Sequence, residues 1–105
     1  MKTKLATGPR AQSLMFWCPG CEMPHGPQVS GGRWQWNGDR EKPTLSPSLL
    51  VTCAGDESVC HSFIRDGKIQ FLGDCTHALK GQTVEIPDWP YAEGTYHGVD
   101  EDLAQ

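Results

Sequence analysis

Short apolar runs alternate with polar positions along this chain, and turn residues close each run. The clearest case lies over residues 60–77, CHSFIRDGKIQFLGDCTH. Asp66-Gly67 is a type I′ turn signal between two strand-like runs, so the segment reads as a β-hairpin. Arg65 then faces Lys68, and counting outward sets Cys60 opposite Gly73. Side chains alternate along a strand with period 2. One face therefore carries Cys60, Ser62, Ile64, Ile69, Phe71, Gly73 and Cys75. The other carries His61, Phe63, Gln70, Leu72 and Asp74. Both cysteines share a face at the open end, and a slip of one residue would undo this.

Similar reasoning places the other elements. Residues 14–17 (LMFW) suit a strand that leads straight into Cys18-Pro19-Gly20-Cys21. Arg33-Trp34-Gln35-Trp36 alternates, so both tryptophans share a face, and Asn37-Gly38 is a hairpin signal. Pro43 and Pro47 interrupt the return strand, which makes 41–48 an extended edge or loop. Residues 48–52 (SLLVT) form a better strand, ending at Cys53. One helical turn fits 76–81, with Thr76 or Asp74 as N-cap and Gly81 just past its end. Residues 82–87 alternate and read as a last strand, cut off by Pro87 and Pro90. The predicted architecture is one small, mostly β, zinc-ribbon-like domain over 14–90, built from short antiparallel strands and hairpins. Residues 1–13 read as a flexible lead-in and 91–105 as an acidic tail.

Composition narrows the function classes. A chain of 105 residues makes one domain, and twelve Gly and eight Pro leave little room for long helices. The net charge is −4, and its acidic excess sits near the C-terminal end. That argues against nucleic acid as a partner. No run approaches the roughly 18 apolar residues of a membrane span. No apolar stretch suits a signal peptide, so a cytoplasmic protein with reduced thiols is expected. Five cysteines is an odd count, which a closed disulfide framework would not use. Metal is the better use of them.

The CPGC motif is the first half of such a site. A redox Cys-x-x-Cys precedes a helix in a βαβ pattern. Here Pro24 and Pro27 follow at once, whereas a metal knuckle needs only a strand and a tight turn. Structural zinc takes four S or N ligands, often as two pairs. Cys18 and Cys21 supply one pair; Cys60 and Cys75, on one hairpin face, supply the other. His77 is a substitute ligand, and His25 is placed to complete a Cys₂His half-site. Cys53 ends an apolar strand and reads as a buried thiol; His97 reads as a surface imidazole.

An enzymatic alternative uses the same hairpin end. If the zinc kept an open position, His25, His61, Asp74 and His77 would be the catalytic candidates, with Glu22 or Asp74 as general base. No H-E-x-x-H spacing is present. Ser46 and Ser48 stand beside prolines and read as turn residues rather than nucleophiles. Trp34 and Trp36 are either core or a partner-binding anchor.

Taken together, FWCPGCEMPHG, WQWNGDREKPTLSPSLLV and CHSFIRDGKIQFLGDCTHALKGQTVEIP resemble a family of small phage and prophage proteins, a domain of unknown function. The resemblance runs from about residue 16 to residue 87. Its pattern includes Cys18, Cys21, His25, Cys60, His61, Cys75 and His77, and leaves out Cys53 and the acidic tail. Some members carry the label ammonia monooxygenase, a membrane copper activity that this chain has neither the span nor the copper site to support. Larger relatives occur beside bacterial ubiquitin-like conjugation genes, which implies a metal-dependent peptidase acting on a ubiquitin-like tail. The leading expectation is a phage-encoded accessory protein that binds a host or phage protein and carries a structural zinc. A zinc-dependent hydrolase is the second.

Overall fold

The computed structural model describes residues 2–52 and 58–91. Among these residues the chain forms nine strands and no helix, arranged in three antiparallel sheets. The mostly β class expected from the alternation holds. Cys53, His97 and the tail beyond residue 91 lie outside the described residues.

The first sheet contains β1 (Thr3–Thr7), β2 (Gln12–Cys18) and β3 (Met23–His25), with β2 in the middle. Residues 1–13 are thus more than a lead-in, because β1 pairs with β2 from Thr3↔Phe16 to Thr7↔Gln12. Thr3 is buried, and its Oγ1 donates to the Arg40 carbonyl at 2.7 Å. Lys2 Nζ donates to Ile86 O at 2.8 Å and pairs with Glu85 at 3.0 Å. The strand leaves little trace in the hydrophobic pattern because its buried positions are a threonine and an alanine. Unbroken apolar sequence in β2 also has a reason: Leu14 and Phe16 face the main core, while Met15 packs with Ala6 and Trp89.

A second, two-stranded sheet pairs β4 (Gln35–Trp36) with β5 (Leu45–Ser46). Asn37-Gly38 does not form the two-residue turn it signals; it opens a loop over 37–44. Asn37 braces that loop instead. Its Oδ1 accepts the N–H groups of Asp39 and Thr44, and its Nδ2 donates to Lys42 O. Asp39 Oδ1 accepts the N–H groups of Glu41 and Lys42. The loop reaches the tip of the main hairpin, where Asp66 N–H donates to Thr44 Oγ1 at 2.9 Å.

The third sheet runs in the order β6 (Leu49–Thr52), β7 (Val59–Arg65), β8 (Lys68–Phe71) and β9 (Thr83–Glu85). Its central hairpin has the expected register, from Arg65↔Lys68 to Ser62↔Phe71. Asp66 and Gly67 take φ values of 51° and 76°, as a type I′ turn requires. Beyond Phe71 the count fails. Leu72 N–H still donates to His61 O at 2.9 Å, but Val59 O is then met by Thr76 N–H, also at 2.9 Å. Simple counting would put Asp74 there. The chain bulges over 73–75, so Cys60 has no partner at Gly73. Residues 76–81 form tight turns rather than a helical turn, with Lys80 N–H on His77 O and Gln82 N–H on Leu79 O.

Leu14, Phe16, Leu45, Leu49, Ile64, Ile69, Phe71 and Ile86 make the core, with Cys18, Cys60 and Cys75 inside it. Fully burying an aliphatic or aromatic side chain contributes roughly 1.5–3 kcal/mol.

Candidate functional site

Two groups of reactive side chains lie on opposite faces of the β6–β7 pair. On the inner face, the ligating atoms of Cys18, Cys21, His25 and Cys60 all lie within 4.8 Å of one another. Cys18 ends β2 and His25 ends β3, and the intervening turn brings Cys21 back, its N–H on Cys18 Sγ at 3.4 Å. Gly20 is required there, since a Cβ would run into the His77 ring. Cys60 joins from β7, its Sγ 3.8 Å from that of Cys18. None of the four described cysteines is in a disulfide.

This group is positioned to hold a metal ion. His25 Nδ1 lies 3.1 Å from the Pro24 carbonyl, which can only accept, so Nδ1 carries the proton. Nε2 is left with its lone pair, buried and without a hydrogen-bond partner. A metal-ligating histidine is held in this way. The Cys18 thiol is pulled down to about 4, chiefly by the hydrogen bond from Cys60, against the opposing effect of burial. Cys60 is pushed up as the donor of that bond and by its own burial. Two sulfurs so close share a proton, and a soft cation is what lets both ionise.

Cys75 and His77 form a second group with Cys60. Cys75 Sγ lies 3.2 Å from both the N–H and the carbonyl O of His61. His77 Nε2 is likewise buried without a hydrogen-bond partner, but the ring differs from His25 in its tautomer. Leu79 N–H donates to His77 Nδ1 at 3.2 Å, so the proton of the neutral ring sits on Nε2, where a metal would bind. Of the ligands expected from sequence, Cys18, Cys21 and Cys60 come together with His25. Cys75 touches the set through Cys60 alone.

On the outer face, Ser48 Oγ lies 3.1 Å from His61 Nε2, and His61 Nδ1 lies 3.0 Å from Asp74 Oδ2. The carboxylate fixes the proton on Nδ1, which leaves Nε2 to accept from the serine hydroxyl. Such a line can generate a nucleophilic alkoxide at Ser48. Register builds it. Leu50 pairs with His61, so Ser48, two residues earlier, shares the outer face. The bulge after Phe71 lets Asp74 reach His61 from the other side. No sequence motif joins Asp74 to Ser48: the pairing of β6 with β7 brings Ser48 to His61, and the bulge brings Asp74.

The remaining candidates lie elsewhere. Glu22 is exposed, at a left-handed φ of 56° just past the knuckle, and belongs to neither group. Trp34 and Trp36 are half-buried against the core, their Nε1 atoms donating to Ser48 O and Asp39 O. No helix of the described residues is long and apolar enough to cross a membrane.

Fold and site together define, over the described residues, a small all-β protein with a Cys/His cluster positioned to hold a metal ion behind a serine–histidine–aspartate line. Residues 2–72 match the family described as bacterial ubiquitination-like system serine protease (BubE). The matched stretch is more than half of the 105 residues, and the chain belongs to the BubE family, which ties it to a bacterial ubiquitination-like system. Ser48 and His61 fall inside that stretch, and Asp74 lies just beyond it. No curated protein and no solved structure matches the chain.

Proposed function

We propose that this chain is a serine peptidase of that ubiquitination-like system, with Ser48 as nucleophile, His61 as general base and Asp74 holding the imidazole. The observation that carries the reading is the continuous Ser48–His61–Asp74 line, with both spacings inside hydrogen-bond reach and the ring in the required tautomer. Ser48 Oγ attacks the substrate carbonyl carbon as its proton passes to His61 Nε2. Asp74 stabilises the imidazolium, which then protonates the leaving amine as the carbon–nitrogen bond breaks. Water, deprotonated by the same ring, hydrolyses the acyl-serine and restores the hydroxyl.

The metal has a separate role in this reading. Cys18, Cys21, His25 and Cys60 would hold zinc through three thiolates and one imidazole, with His25 in the place the sequence suggests for Cys75. Four protein donors fill a tetrahedral zinc and make it a structural cross-link between the knuckle and β7. Of the two expectations from sequence, a phage-encoded binding module and a hydrolase, the outer-face line favours the hydrolase and moves its chemistry from the metal to a hydroxyl.

A fluorophosphonate probe tests this. It phosphonylates an activated serine oxygen with loss of fluoride, and peptide mass spectrometry locates the adduct. Labelling is expected on Ser48 and is expected to disappear in His61→Ala. An unlabelled Ser48, or an adduct that survives in His61→Ala, would overturn the reading.

A further inference from the structure

The line runs across the strands, from Asp74 through His61 on β7 to Ser48 at the start of β6. Its last member therefore stands farthest from β8, its hydroxyl on His61 at 3.1 Å and its own backbone bounding the outer side of β6. That side is a sheet edge, because β6 ends the strand order and no described strand pairs beyond it. The backbone groups on the edge can be assigned. The carbonyls of Val59 and His61 accept from Thr76 and Leu72, on the β8 side. Cys60 and Ser62 accordingly bond to β6, opposite Val51 and Leu49. Leu50 and Thr52 then turn their N–H and C=O groups outward. Ser48 O faces the same way but accepts from Trp34 Nε1 at 3.3 Å, so the indole closes that end.

Resting on the serine-peptidase reading, we infer that β6 is the substrate-docking strand: an extended peptide adds to its open edge along Leu50–Thr52 and delivers its carbonyl to Ser48. The edge is short and starts at the nucleophile, so the docked stretch lies on one side of the scissile bond, the side away from Trp34. Side chains of an added strand keep the alternation of the strand they join. A residue opposite Leu50 lies on the outer face, beside a leucine that is 56 % exposed, directly across from His61. Its neighbour, opposite Val51, points to the inner face. There a cavity of about 290 Å³ opens, its mouth lined by Val51, Met23 and Val59 and its floor reaching Cys21, Cys60 and His77 of the sulfur cluster. Met23 is itself 40 % exposed. An apolar side chain of modest size suits the Val51–Met23–Val59 side of that cavity. The substrate class is thus a flexible tail or loop with an apolar residue close to the cut, rather than a folded strand or helix.

Kinetics on internally quenched peptides test this with the metal-loaded, full-length chain. A position-scanned peptide library is expected to show preference for Leu, Val, Ile or Met at one position within three residues of the cut. N-methylation of the amide that pairs with Leu50 O is expected to lower kcat/KM by about tenfold or more, since it removes that hydrogen bond and crowds the edge. Leu50→Pro removes the outward N–H from the protein side, at a position where an edge strand tolerates proline. A loss of similar size is expected there, with circular dichroism and metal content confirming the fold. An N-methyl scan with no sensitive amide outside the scissile bond would overturn the edge, as would failure to cleave any library peptide while Ser48 still takes the fluorophosphonate. Failure of that labelling would instead remove the peptidase reading beneath it.

Discussion

Residues 60 and 61 are neighbours on β7 yet belong to different chemistries. Cys60 points inward to Cys18 in a buried cluster of sulfurs, while His61 points outward to Ser48 and Asp74, with its side chain 27 % exposed. Across the sheet the same division recurs at residues 74 and 75: Asp74 meets the outer imidazole, and Cys75 is buried against the His61 backbone. The two-residue period of a strand separates a dry cluster of soft donors from a wetter line of hydrogen-bonded polar groups using adjacent residues. The inner face then acts on the outer one by position. Whatever anchors Cys60 also anchors the backbone of His61.

That division can be broken from either side. The largest effect is expected for Ser48→Ala, which removes the proposed nucleophile: hydrolysis is expected to fall by roughly 10⁴–10⁶-fold, while metal content and Tm stay at the wild-type level. Elemental analysis and a thermal melt on the same sample check this. An inner-face change is expected to do the reverse first. Cys60→Ser loses the ion, lowers Tm by about 10 °C or more, and impairs hydrolysis through the displaced His61.

A smaller effect separates the two inner histidines. His25→Ala is expected to weaken metal affinity by at least about 100-fold, and His77→Ala by about tenfold or less, measured by competition with a chromophoric chelator. Equal losses would contradict the tautomer assignment. The smallest effect lies away from both faces. Asp39 is held below its ordinary carboxylate value, chiefly by the N–H of Lys42 and then by that of Glu41. A depressed folded value means the contribution is present above the usual carboxylate range and is lost as pH falls through the folded one. Asp39→Asn should therefore narrow the drop in Tm between neutral and acidic buffer by a small amount, with metal content unchanged.

The two faces also differ in how far the sequence discloses them. Cys18 and Cys21 are joined by a turn motif, and Cys60 follows from the Asp66-Gly67 hairpin, whose turn chemistry sets the register as far as Phe71. These are short-range constraints. Ser48 needs the pairing of β6 with β7, which no turn motif sets, and the adjacent Pro47 points only to a turn. Asp74 was placed on the correct face, but its reach to His61 depends on the bulge over 73–75. Strand β1 is illegible for another reason: its buried Thr3 and Ala6 carry little hydrophobic signal.

One experiment asks directly whether the hydroxyl or the metal does the chemistry. The chain is loaded with zinc or with cadmium, and p-nitrophenolate release from p-nitrophenyl acetate is followed before the steady state. Acylation of Ser48 is expected to give a burst of about one equivalent per chain with either metal, at rates within about twofold. No burst, with turnover that follows the identity of the metal, would contradict the assignment of the chemistry to Ser48.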